Sequence, residues 1–463
     1  MESIKTYKSN LDTLFNPKSV AVIGATENVK KWFGFNITKN VLDSTIQKKF
    51  LVNKSGKKVF GLDTHKNIRD VSDPVDTAII VTPSPGVPEV MEDCAEKNIK
   101  TVVIITAGFK EIGEDGEGLE KETIGIARAN GIRFVGPNCT GISNTHSNLN
   151  LTPWPLPRKG YVGFVSQSGN LGGYIINRGR REGLGFSKFT SGGNEADLNF
   201  VDYLEYLGED PNTKVITAYV EGLKEKEGHR FIGVAKEVTK KKPIIVLKVG
   251  RTGSGSKAAK SHTGSLAGSD SVYDAAFKQA GVLRVEKIED LLDVAAAFTS
   301  QPIPRGKNVG VLTSGGGFGV VIADACEKLR LSLPPLSPRT IEEINDILPS
   351  RWPHANPVDM VGEAVGLKIY QIIEALFRAD EIDGITTAGG IGYSNSAAEL
   401  EEIGRLIERM KEHKKPFLPS VVYGKEVVKV IRKKGLSTYD TPERAVEVLS
   451  YLVKYGEYLR RSL

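Results

Sequence analysis

At 463 residues the chain is too long for one ordinary core and fits three domains at ~150 residues each. Its 40% hydrophobic and 25% charged residues exclude a disordered or fibrous chain, and 49 glycines beside 7% aromatics favour α/β architecture over a sandwich. Lys and Arg (62) exceed Asp and Glu (56) by six, which suits a small polyanionic ligand and gives no support for a nucleic-acid coat. Cys94, Cys139 and Cys326 show no CxxC spacing, which excludes a disulfide scaffold or a structural zinc site. No run approaches ~18 apolar residues, and MESIKTYKSN lacks the apolar core of a signal peptide. The expectation is a soluble, reduced, cytoplasmic protein with no metal site of its own.

The first unit alternates strand, turn and helix. Ser19-Val-Ala-Val-Ile-Gly24, Thr77-Ala-Ile-Ile-Val81, Thr101-Val-Val-Ile-Ile-Thr106 and Gly131-Ile-Arg-Phe-Val135 are buried strands, with a helical pattern from Pro88 to Lys97. Continuous apolar runs separated by helices predict a parallel sheet covered on both faces. The Pro-rich stretch from His146 to Gly160 has no periodicity and is read as a domain junction.

The next two units repeat each other. Val162-Gly-Phe-Val-Ser-Gln-Ser-Gly-Asn-Leu-Gly172 aligns without gaps to Val309-Gly-Val-Leu-Thr-Ser-Gly-Gly-Gly-Phe-Gly319. Lys241-Lys-Pro-Ile-Ile-Val matches Lys414-Lys-Pro-Phe-Leu-Pro, and Gly281-Val-Leu-Arg-Val matches Gly435-Leu-Ser-Thr-Tyr, each followed by a helical pattern. A single fold used twice is the economical reading. The expected domains are therefore 1–145, 160–300 and 307–463. The copies differ after Val249, where the first inserts a Gly/Ser-rich segment, 250–269, carrying Arg251, Lys257, Lys260 and His262. A duplicated scaffold keeps such an insertion for something other than packing.

Gly24 ends the first strand in a turn that can offer backbone N–H groups to a phosphate, although the segment is not GxGxxG. The second strand ends Leu51-Val-Asn-Lys54 and is followed by Lys57 and Lys58, with no acidic residue for a dinucleotide ribose. That disfavours NAD and favours a ligand with an additional phosphate. Ser166-Gln-Ser-Gly-Asn-Leu-Gly172 and Gly389-Gly-Ile-Gly-Tyr-Ser394 are further Gly/Ser turns without a Walker lysine, readable as anion cradles or as ordinary tight turns. His262, among small residues and cations with no nearby His or Cys, fits a phosphoryl-carrying nucleophile better than a metal ligand. Glu221, at the carboxyl edge of Val215-Ile-Thr-Ala-Tyr-Val220, reads either as a solvated loop charge or as the group that orients His262. Cys139, in Gly136-Pro-Asn-Cys-Thr-Gly141, reads as a thiol nucleophile or, preferably, as a small buried liner.

In order, SVAVIGAT, TAGF, GPNCTG, VSQSGNLG, YVEG, SHTGSLAGSD, TSGGGFG and NPVD resemble the alpha subunit of ADP-forming acetyl-CoA synthetases. These belong to the NDP-forming acyl-CoA synthetases, together with succinyl-CoA synthetase. The resemblance covers essentially the whole chain. It implies a Rossmann-like CoA-binding domain followed by two flavodoxin-like doubly wound domains. It further implies a phosphorylated His262 supported by Glu221, and phosphate held at Ser168-Gly169 and at Gly390-Ile391-Gly392. CoA would meet Thr26, Asn28, Thr106 and Ala107, joined by Gly24 and Lys57 from the turn and lysine readings above, and the acyl pocket would depend on Asn138, Cys139, Thr140 and Gln167. Fused relatives carry an ATP-grasp module, so the resemblance implies a separate beta subunit binding ADP/ATP and Mg2+, in a heterotetramer of two alpha and two beta subunits. A non-catalytic CoA-binding regulator of the same fold is the alternative. An NADP-dependent dehydrogenase is a weaker rival, since no hydride-transfer dyad is recognisable.

Overall fold

The computed structural model describes residues 10–255, 257, 269–362, 366–391, 397–421 and 425–462. These form two compact units, 1–291 and 292–463. In the first unit, β1 (Ser19–Ile23), β2 (Lys48–Val52), β3 (Thr77–Ile80), β4 (Thr101–Ile104) and β5 (Arg133–Val135) make a parallel sheet in the order β2-β1-β3-β4-β5. Every residue of β1, β3 and β4 is buried, as the unbroken apolar runs require of a sheet covered on both faces. Helices α1 (Trp32–Asp43), α2 (Val87–Glu96) and α3 (Glu114–Ala129) pack over β1 and β2, over β3 and over β5 respectively.

The second sheet of this unit takes β6 (Ile142–Asn144) and β7 (Leu149–Asn150) before its own parallel strands. Those strands are β8 (Lys159–Ser166), β9 (Phe186–Ser191), β10 (Val215–Val220), β11 (Ile244–Lys248) and β12 (Leu283–Val285), in the order β12-β11-β10-β8-β9-β6-β7. β6 runs antiparallel to β9, and β7 antiparallel to β6. Thus part of the segment read as a bare junction is sheet. The helices of this layer are α4 (Gly169–Arg181), α5 (Phe200–Glu209), α6 (Gly228–Thr239) and α7 (Asp270–Ala280). The helix α8 (Ile288–Ser300) spans the boundary between the two units.

The second unit repeats the plan. Its sheet is β14 (Val358–Asp359), β13 (Val309–Thr313), β15 (Gly384–Ala388) and β16 (Phe417–Ser420), in that order, all parallel. Tyr439 extends it by a parallel bridge to Ser420. Around it lie α9 (Gly316–Lys328), α10 (Pro338–Asn345), α11 (Lys368–Arg378), α12 (Ala397–His413), α13 (Lys425–Lys433) and α14 (Pro442–Ser462). Numbered by chain order, the parallel strands of both copies run 2-1-3-4-5, the flavodoxin-like doubly wound order. The repeat extends to packing. A Cβ at Gly163 of β8 would fall 2.9 Å from Thr213 Cγ2, and one at the matching Gly310 of β13 would fall 3.0 Å from Ile382 Cγ2. The α/β expectation therefore stands, with parallel sheets at its centre.

Candidate active site and ligand cavity

In doubly wound sheets, ligands collect at the carboxyl ends of the strands. In the first unit those ends frame a cavity of about 940 Å³, within the range of ligand pockets. Its wall takes Gly24 and Thr26 after β1, Lys54 after β2, Thr82 after β3, and Thr106 and Ala107 after β4. Asn138, Cys139 and Thr140 close one side, and Gln167, Ser168, Gly169 and Asn170 bring in the start of α4.

Gly24 sits at φ +95°, and a Cβ there would press at 3.1 Å on the Thr82 and Val81 backbone, so this turn requires glycine. Its N–H is not an open anion donor. Gly24 and Ala25 donate to Val52 O at 2.9 and 3.1 Å. Asn28 N donates to Thr26 Oγ1 at 3.1 Å and Lys30 N to Asn28 Oδ1 at 3.0 Å. The loop thus satisfies itself, and Thr26 presents a hydroxyl. Asn28 and Lys57 do not line the cavity; both are exposed on their loops. Cations reach the wall from Lys31, Lys54 and Lys66 instead. Trp32 and Phe33, 43% and 39% exposed, stand on the same wall, with the Trp32 ring 4.9 Å from that of Trp154. Lys31, Lys66 and this aromatic pair escaped sequence reasoning. The Lys-Lys-Trp-Phe run at 30–33 was the available signal, a basic step directly before two aromatics.

Cys139 is buried, donates its thiol to Ile104 O at 3.3 Å, and is pushed up to about 12 by burial. It is a protonated wall residue, in keeping with the liner reading. Asn138, at φ +56°, donates to Asn194 Oδ1 at 3.2 Å. Asn194 in turn donates to Glu111 at 2.7 Å and Glu120 at 2.9 Å. Burial opposes ionisation of Glu111, but hydrogen bonds from Asn194 and the Gly108 and Phe109 amides hold it below the usual carboxylate range.

Gln167 is the hub between cavity and strand edge. Its Oε1 accepts from the N–H groups of Glu221 at 2.6 Å and Gly222 at 3.1 Å. Its Nε2 donates to Gly222 O at 2.8 Å and Glu195 Oε2 at 3.0 Å. Two N–H donors on one side fix which amide atom points where. Glu221 is only 6% exposed, so the solvated-charge reading fails. Tyr219 hydrogen-bonds to it, and burial together with the Glu221 charge pushes that phenol up. On the next strand Lys248, in register with Val220, holds its ammonium 4.5 Å over the Tyr273 ring; burial lowers its pKa.

Helix α4 begins at Gly169 with Ser168 as N-cap and no side-chain cap among the described residues. Its first turn has no acidic residue and its last turn holds Arg178, Arg180 and Arg181. The first N–H groups and the positive dipole end are therefore available to an anion at the cavity wall. His262 lies outside the described residues, as does Gly392. In the second unit, Gly389 and Gly390 take φ +77° and +85°, and Ile391 is buried at 3% exposure in that unit's core. Of these three residues Ile391 commits its side chain to packing, so what they offer an anion is backbone.

The chain thus sets a cavity with three lysines on its wall, at the carboxyl edge of its first parallel sheet, against the start of a glycine-rich helix with no side-chain cap among the described residues. Residues 18–145 match the CoA binding domain family, and residues 159–298 match the succinyl-CoA ligase like flavodoxin domain. The chain is 43% identical over 452 residues to the alpha subunit of ADP-forming acetate–CoA ligase II of Pyrococcus furiosus, covering 96% of this chain and 98% of that one. An ADP-forming acetate–CoA ligase of Methanocaldococcus jannaschii is 42% identical over 448 residues, covering 95% of this chain and 62% of that one. Among solved structures, acetyl-coenzyme A synthetase 1 of Candidatus Korarchaeum cryptofilum, in complex with phosphate and ADP, superposes with TM-score 0.90 at 37% identity, covering 98% of this chain and 99% of that one. The chain belongs to the family of ADP-forming acetate–CoA ligase alpha subunits. No helix among the described residues is long and apolar enough to cross a membrane.

Proposed function

We propose that this chain catalyses the acyl-transfer half of a reversible reaction in which acyl-CoA, phosphate and ADP give carboxylic acid, CoA and ATP. The observation that carries the reading is one cavity of about 940 Å³ uniting a lysine-lined wall with the start of α4, uncapped among the described residues, and, through Gln167, with buried Glu221. CoA phosphates would meet Lys31, Lys54 and Lys66, with Thr26 and the Thr106-Ala107 strand end along the chain of the cofactor. Phosphate, held at Ser168-Gly169, attacks the thioester carbonyl. The C–S bond breaks, the thiolate takes a proton, and acyl phosphate forms. The phosphoryl group then passes to a ring nitrogen of His262 as the P–O bond to the acid breaks, and Glu221 holds the other ring nitrogen's proton. Gly390-Ile391-Gly392 is the second anion cradle of the proposal. Mg2+ and ADP/ATP are assigned to a separate ATP-grasp partner subunit, in a cytoplasmic heterotetramer of two alpha and two beta chains.

The test is copurification with its partner, followed by acid-, CoA- and ATP-dependent hydroxamate formation. Mass spectrometry after incubation with acyl-CoA and phosphate should place an acid-labile phosphoryl group within 250–269. Label on a residue outside that segment, or undiminished phosphoryl transfer to ADP by His262→Ala, overturns the relay.

A further inference from the structure

Thr140 borders the same cavity as Ser168, Gly169 and Asn170, and is only 5% exposed. Its N–H donates to Ser191 Oγ at 3.1 Å, but its side-chain Oγ1 is buried with no hydrogen-bond partner among the described residues. Buried hydroxyls are almost always paired, because an unmade bond forfeits the solvation they had in water. The side chain lies directly against the start of α4: a Cβ on Gly169 would fall 2.5 Å from Thr140 Cγ2 and 3.2 Å from Oγ1. At that same place the first N–H groups of a 13-residue helix have no side-chain cap among the described residues. An unpaired helix end and an unpaired buried hydroxyl, from two separate stretches of sequence, therefore meet at one point of the wall.

We infer that Thr140 is a further binding residue of this site, its hydroxyl donating to an oxygen of the phosphate held at the N-terminus of α4. The inference rests on the reading of α4 as the phosphate site given above. The backbone N–H groups lie along the helix axis, and the hydroxyl adds a donor from the flank, which fixes the anion's rotation as well as its position. Threonine suits this better than serine. Its methyl rests on Gly169 and restricts χ1, so the hydroxyl is oriented before the anion arrives. Gly169 is in turn the residue that makes room for that methyl.

The test uses the chain with its partner subunit and follows initial rates against inorganic phosphate and, separately, against acyl-CoA. Thr140→Val removes the hydroxyl and keeps the shape; it should raise the phosphate KM by roughly 10- to 100-fold, the effect of one hydrogen bond to a charged acceptor. The acyl-CoA KM should stay at its wild-type value, the thermal midpoint should not fall because an unpaired buried hydroxyl is removed, and Thr140→Ser should recover most of the phosphate binding. Thr140→Ala is the second arm should the valine variant fold poorly, with the same direction expected. An unchanged phosphate KM in Val and Ala variants, or equal losses in phosphate and acyl-CoA binding, overturns the inference and leaves a packing hydroxyl. Wild-type enzyme whose thioester cleavage is indifferent to phosphate overturns the functional reading itself, a separate result.

Discussion

Cys139 sits on the cavity wall in the GPNCTG segment, where a nucleophilic thiol is an obvious suspicion. Burial pushes it up to about 12 and its proton is given to Ile104 O, so it stays a thiol at neutral pH. Cys139→Ala should therefore keep turnover near wild type, and iodoacetamide should leave Cys139 of the folded protein unlabelled; a loss matching that of His262→Ala would contradict this. Glu195 gives a pH-dependent prediction. It is buried, and burial pushes it from 4.5 to about 8, against the pull of Gln167 and of Lys224. The folded state thus binds a proton that the unfolded state has released, and the associated stability is lost as pH rises from about 4.5 to about 8. Urea midpoints measured across that interval should fall more for wild type than for Glu195→Gln, whose amide has no proton to lose. Parallel curves would remove Glu195 as the cause. Such residues also mark where sequence reading stops. Gln167 and Glu221 were legible as strand-edge candidates, but the bond from Gln167 to Glu195 depends on how two strand ends meet across the sheet. Lys57 was read from proximity to β2, whereas Lys31 reaches the wall from the start of α1 and Lys66 from the segment that pairs back on β2 through His65.

At the scale of elements, α4 shows why its start must be glycine. Gly169→Ala places a methyl 2.5 Å from Thr140 Cγ2, so the Thr140 side chain must shift to absorb it. Overpacking of this kind costs about 1–3 kcal/mol, so chemical denaturation should show that loss together with a weakened phosphate KM. A stable variant with normal phosphate binding would separate the helix start from the anion. The strands were the most legible elements, because uninterrupted Val and Ile runs permit little else. β6 and β7 were not. Ile142–Asn144 and Leu149–Asn150 are too short for a period-two signal, and what makes them strands is a partner, the edge of β9. Similarly, Lys188 on β9 is 2% exposed and bonded at 2.7 Å to Asp210, a buried pair that no local pattern announces.

At the scale of the whole molecule, the duplication was visible because both copies keep the strand, the turn and the small residue beneath a helix. Gly163 and Gly310 occupy the same place in β8 and β13, and a Cβ on either would press on a side chain at 2.9 or 3.0 Å. The structure adds the matching strand order, which the sequence could suggest only by analogy. It also frames a prediction about partners. The chain alone should bind CoA, as followed by calorimetry, yet form no ATP from ADP until the proposed ATP-grasp partner is added. Substantial ATP synthesis by these 463 residues alone would end that division of labour.

The antiparallel pair β6 and β7 lies on β9, which would otherwise be the open margin of the second sheet. Bare margins recruit other chains, and covering them is a protection against aggregation. The segment that leaves the first sheet is therefore also a guard for the second. A fragment cut at the family boundary, 159–298, loses that guard and uncovers β9. It should self-associate on size-exclusion chromatography, whereas a fragment starting at 141 should elute as a monomer; equal behaviour of the two would show that the margin needs no cover.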